Sequence, residues 1–246
     1  IVLKGVPVSV CDIESIEPCQ PPKDKRLSRR YYRPGFGLPV TIRIKPGKEG
    51  TIQGDFDPPR LSLVVTAVLR FRVPGNEKPI VKFVGPLARE PAPALLDLVE
   101  PLSVSSVHIG DAHPPLAADL SMPMLDMLEG MPKSGLEGFI MPFEGGVTEP
   151  RLEFLQPHVK GRIPVVFIHG LASDEGTWFD MINDLRACPF FQRYYEPWVY
   201  HYPTGASFLP AAAVLRQSLR RIVQELDPDG EEKQLQNLVL VGHSMG

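Results

Sequence analysis

The last nine residues constrain this chain more than any other feature. The apolar run Leu238–Val241 passes directly into Gly242-His243-Ser244-Met245-Gly246. An unbroken run of this kind fits a strand covered on both faces. Glycine at each end of the pentapeptide permits an abrupt turn and close approach of backbone to backbone. A buried strand is therefore expected to stop at Gly242 and lift Ser244 into the open. The bare G-x-S-x-G pattern is a modest signal, and the strand in front of it sharpens it.

The rest of residues 151–246 supplies a matching frame. Ile163–Ile168 is a second unbroken apolar run, ended by His169-Gly170. Trp178, Ile182 and Leu185 recur at helical spacing, and that segment is expected to stop near Pro189. Trp198–Tyr202 reads as another strand, closed by Pro203-Thr204-Gly205. Pro210–Leu226 is the clearest helix, with Leu215, Leu219, Ile222, Val223 and Leu226 on one face. Strands alternating with helices predict a parallel sheet clothed by helices, an α/β architecture.

The chemistry these residues suggest is acyl transfer. A serine on a strained turn after a strand can act as a nucleophile, and its oxyanion needs two backbone N–H donors. Met245 follows the serine, and Leu171 lies in the loop after the earlier strand; both are candidate donors. Gly170 allows the backbone to approach a substrate. His169 is read as structural, holding that loop, and His243 and Gly246 complete the turn. His201 and Asp174 are candidates for lining a pocket. His108, Asp111 and His113 fall within six residues, but a Gly-Asp turn before a proline pair reads as a solvated turn. No metal and no cofactor is implied.

The first part of the chain differs in composition. Of the 28 prolines, 21 lie in residues 1–150. Residues 1–35 read as a polar linker with six basic residues between Lys23 and Arg33, solvated or placed against an anionic membrane surface or a nucleic acid. Residues 36–115 read as a β-rich domain with strand signals at Val40–Ile44, Leu61–Val73, Ile80–Val84 and Val104–Ile109. Residues 116–150 read as a helix over 116–131, with Leu120, Met124, Leu125, Leu128 and Met131 on one face, and then a connection. Residues 151–246 form the α/β part. A net charge of −3 gives no reason to expect nucleic-acid binding. Cys11, Cys19 and Cys188 are too few for a disulfide scaffold; a Cys11–Cys19 bridge and free thiols both fit.

From Pro164 to Gly246 the chain resembles the first part of an α/β-hydrolase of the bacterial lipase/esterase type. The resemblance rests on VVFIHGL, GTW, YPTG, LRQSLRR and LVLVGHSMG in that order. RPGFGLPV, VVTAVLRF and PPLAAD also resemble bacterial hydrolases in which a β-rich, Pro-rich leader precedes the catalytic domain. The resemblance implies that Ser244 is the nucleophile, that Leu171 and Met245 supply oxyanion N–H groups, and that the substrate is an ester or lipid-like small molecule. It also implies an acid and a histidine after the serine, so the sequence reads as truncated just after the elbow and inactive by itself. About 95 residues are few for a complete α/β-hydrolase sheet. The resemblance favours work at the cell envelope or a membrane surface, and a cytoplasmic location stays open. Thioesterase, acyltransferase and peptidase chemistry remain open, as does a non-catalytic interaction protein with a degenerate hydrolase domain.

Overall fold

Val2–Lys4 (β1) and Ile13–Pro18 (β2) are the first strands of the chain, in a stretch whose composition reads as linker. In the computed structural model the described residues are 1–20, 27–71, 94–109, 111–130, 149–171, 173, 175–205 and 207–246. They fall into two compact units. The first comprises residues 1–23, 30–44 and 62–123; the second comprises 24–29, 45–61 and 124–246.

The first unit is built on one sheet. After the short Tyr32–Arg33 (β3) come Leu38–Ile44 (β4), Leu61–Phe71 (β5), Ala94–Val99 (β6) and Ala118–Asp119 (β7). The sheet runs β1-β6-β5-β4-β2, with β1 parallel to β6, and β3 pairs with β7 separately. Val40, Ile42 and Ile44 share one face of β4 and are buried, and Thr41 on the other face is buried as well. Beneath part of the sheet, Val68, Val99 and Leu116 pack with Phe36, Val104 and Val107.

Three expectations change here. Val104–Ile109 is not a strand; it makes only isolated bridges, Ser106 to Pro115 and Ile109 to Ala112, because prolines at 114 and 115 interrupt a continuous ladder. The helix expected over 116–131 begins at Met122, after the extended β7. The buried Asp119 carboxylate stops the strand there, accepting from the Ser121 and Met122 N–H groups. Arg30 and Arg33 are not merely solvated. Arg30 pairs with Asp119, and Arg33 donates to the Leu116 and Pro101 carbonyls at 3.0 and 2.8 Å. Lys23, Lys25, Arg26, the Ile80–Val84 signal, Met131 and Asp174 lie outside the described residues. The three cysteines are free thiols.

The second unit holds the α/β layers. Its helices are Ile52–Phe56 (α1), most of Met122–Gly130 (α2), Phe179–Ala187 (α3), Pro189–Tyr194 (α4), Phe208–Leu226 (α5) and Lys233–Gln236 (α6). Its strands are Arg151–Phe154 (β8), Ile163–Ile168 (β9), Tyr195–His201 (β10) and Val239–Gly242 (β11), in the order β11-β9-β10-β8. β9, β10 and β11 are parallel, and β8 runs antiparallel to β10. The parallel, helix-clothed sheet expected for this part of the chain is therefore present. β8 was not anticipated, nor was α4, which Pro189 opens from a position where its missing N–H does no harm.

The two faces of the sheet are covered by different crossovers. Val166, Trp198, Tyr200, Leu152 and Phe154 pack with Ala211 and Ile222 of α5. Phe167, one residue on from Val166 and hence on the other face, meets Trp178 at 5.5 Å just before α3. One expectation fails in this sheet: β11 is not a buried strand. It pairs with β9 alone among the described residues, and Val239 and Leu240 are 41% and 54% exposed. An apolar run marks a strand but does not say whether its outer edge is covered.

The opposite end of the three parallel strands is tied by charge. His158 Nδ1 lies 2.7 Å from Glu196 Oε1 at the start of β10, and Nε2 lies 3.4 Å from Glu232 Oε1 just before α6. Both carboxylates are buried and also accept backbone N–H groups, from Val159 at 3.0 Å and Gly161 at 2.7 Å. Desolvation pulls the His158 pKa down, but the hydrogen bond and charge of Glu196, with the charge of Glu232, outweigh it and raise it above 6.5.

Candidate functional site

The chain leaves β9 toward β10 over one face and returns past β9 to β11 over the other. In open α/β sheets ligands bind outside the carboxyl ends of the strands where such a reversal occurs, and here those are the ends of β9 and β11. The loops that meet there are His169-Gly170-Leu171 and Gly242–Gly246. Sequence-distant candidates Ser244, Gly170, Leu171 and Met245 are thus brought to one edge by topology.

The turn after β11 is tight. The His243 N–H continues the ladder to Ile168 O at 3.1 Å, and the Gly246 N–H closes back on His243 O at 3.0 Å. Inside that turn Ser244 has φ of 57°, the one non-glycine residue with positive φ among the described residues. A serine in this left-handed region stores strain of about 1–3 kcal/mol. Ser244 is exposed, so burial of its side chain does not explain the conformation. Ser244→Gly is expected to be more stable than Ser244→Ala by about 0.5–1 kcal/mol, because alanine keeps the strain and glycine releases it. Urea denaturation of the two variants measures this; equal stability would show a relaxed turn.

The two loops touch through glycine. A Cβ on Gly170 would lie 2.9 Å from both His243 O and Ser244 Cβ, and a Cβ on Gly246 would lie 2.5 Å from Ile168 O. Side chains at these positions would push the loops apart. Leu171 and Met245 are exposed on either side. Among the described residues neither N–H is bonded to a backbone carbonyl.

The histidines divide by role. His169 is fully buried and its ring stacks on Tyr202 at 4.5 Å. Its Nε2 accepts the Tyr202 N–H at 3.3 Å, its Nδ1 reaches Gly170 O at 3.2 Å, and its carbonyl accepts the Tyr202 hydroxyl at 2.9 Å. With both ring nitrogens engaged, His169 holds the loop and is not placed to take a proton from Ser244. His201 is buried with its ring 5.4 Å from His169, and β9 separates its strand from that of Ser244. His243 lies edge-on to Trp178 at 6.3 Å. His108 and His113 meet edge to face at 4.0 Å in the first unit, and no group of three or more potential ligands able to hold a metal occurs among the described residues. Among the same residues no helix is long and apolar enough to cross a membrane.

Sequence reasoning missed Tyr202 as a partner of the loop. Its signal was present, since it follows β10 directly as His169 follows β9. Compared with models of known protein families, with curated proteins and with solved structures, the chain matches none.

Proposed function

We propose that this chain carries the nucleophile and oxyanion elements of a serine hydrolase of α/β-hydrolase type, acting on carboxylic esters. The observation that carries the reading is the strained, exposed Ser244 at the end of a parallel strand, with the Gly170 loop packed against it. Ser244 Oγ would attack the acyl carbonyl carbon while its proton passes to a base. The ester C–O bond would then break, the alcohol would leave with a proton, and water would later release the acid. The Leu171 and Met245 N–H groups would hold the developing oxyanion. Exposed apolar Leu171 and Met245, with Phe208 and Leu209 at the start of α5 along the same strand ends, favour an ester or lipid-like substrate with an apolar acyl chain.

A non-catalytic interaction role is the second reading. It is favoured by the lack of any side chain hydrogen-bonded to Ser244 Oγ among the described residues. With no base hydrogen-bonded to Ser244 among the described residues, residues 1–246 are expected to acylate slowly and not to turn over. Given a p-nitrophenyl ester, the chain is expected to release one equivalent of nitrophenolate and then stall, and Ser244→Ala should remove the release. No release, or release that survives Ser244→Ala, would support the interaction reading.

A further inference from the structure

We infer that His169 is a positioning residue for the oxyanion loop: it fixes the Gly170–Leu171 peptide so that the Leu171 N–H faces the space beside Ser244. The inference rests on the reading of Ser244 as the nucleophile. Its own support is the hydrogen-bond pattern of the buried ring.

A backbone N–H has a proton to give and nothing to accept with. The Tyr202 N–H on Nε2 therefore requires that nitrogen to be unprotonated. The ring proton of the neutral imidazole then sits on Nδ1, where it donates to Gly170 O. The Gly170–Leu171 peptide is planar and trans, so its C=O and N–H point to opposite sides. Pinning the carbonyl to the ring turns the Leu171 N–H away from it. The ring itself cannot swing, because Tyr202 stacks on it and the Tyr202 hydroxyl holds the His169 carbonyl. Gly170 is the only link between this clamp and Leu171, and the surface on which it rests is Ser244 and His243. One buried side chain thus sets the direction of a donor that must be aimed before reaction begins, which is where electrostatic preorganisation acts.

Two variants separate positioning from filling space. Asparagine places an amide N–H where Nδ1 stands and can still donate to Gly170 O, while it gives up the Tyr202 N–H. Glutamine reaches the Nε2 position, can accept from Tyr202, and leaves Gly170 O without its donor. Fluorophosphonate labelling of Ser244 is expected to slow about 10–100-fold in His169→Gln, the scale of a misdirected oxyanion donor. In His169→Asn it should stay within about threefold of the unmodified chain, on the same principle that the donor's aim is kept. Equal labelling rates in folded Asn and Gln variants would overturn the inference. Should either variant fail to fold, nitrogen NMR of His169 in the unmodified chain decides: a proton on Nδ1 supports the inference and one on Nε2 overturns it. Absence of labelling at Ser244 in the unmodified chain would sink the nucleophile reading, and the NMR result would then decide the His169 arrangement alone.

Discussion

Replacing His158 with alanine is expected to destabilise the protein by about 3 kcal/mol, the scale on which removing one partner exposes buried charges to each other. The buried Glu196 and Glu232 carboxylates would lose the imidazole between them and keep, among the described residues, one backbone N–H each. Because His158 sits just before β9, Glu196 at the start of β10 and Glu232 just before α6, the loss loosens the entry to three parallel strands. The same group sets a pH dependence. The His158 pKa is raised in the folded state above its ordinary 6.5, so the folded state binds the proton more tightly than the unfolded chain. Its contribution is complete below pH about 6.5 and declines as pH rises through the raised folded value. Denaturation midpoints from pH 5 to 9, with and without His158→Ala, measure both effects. A variant as stable as the parent at pH 6, or with the same pH slope, would contradict them.

Gly170→Ala is expected to act at the other end of the sheet. Its Cβ would stand 2.9 Å from His243 O and from Ser244 Cβ, and 3.0 Å from His243 Nδ1. Two of those three contacts are with backbone or with the first atom of a side chain, which cannot swing aside. The loops must separate by some tenths of an ångström, with a stability loss of about 1–3 kcal/mol. A second effect is on reactivity. Displacing the Leu171 N–H from Ser244 on this scale is expected to slow covalent labelling of the serine about 10-fold. Comparison of labelling rate with denaturation midpoint separates the two, and labelling at the parental rate would show that the loops do not rely on this contact.

Much of the second unit was legible because its parallel strands carry apolar runs and its longest helix an apolar face. Ile163–Ile168 appears as a strand at its expected bounds, and the helix expected at Pro210–Leu226 begins only two residues earlier, at Phe208. The turn at Gly242–Gly246 could be placed because glycine spacing reports backbone requirements directly. What pairs with what was less legible. Ile13–Pro18 carries two isoleucines among polar residues and a proline, so its pattern is weak until Val40–Ile44 pairs with it. Arg30 lies in a basic run that reads as solvated, and its partner Asp119 stands 89 residues away. Glu196 and Glu232 have no local signal, because only the closed sheet brings them to His158. The exposed edge of β11 was equally hidden, since an apolar run has no mark for its neighbours.

The reading of Ser244 as the nucleophile is tested most directly by mapping where a fluorophosphonate reacts. Intact mass and peptide mapping of the labelled chain, with imidazole supplied as an external base, should place a single adduct on Ser244, lost in Ser244→Ala and much slower in Gly170→Ala. No adduct on Ser244, or labelling spread over other serines at similar rates, would contradict the account.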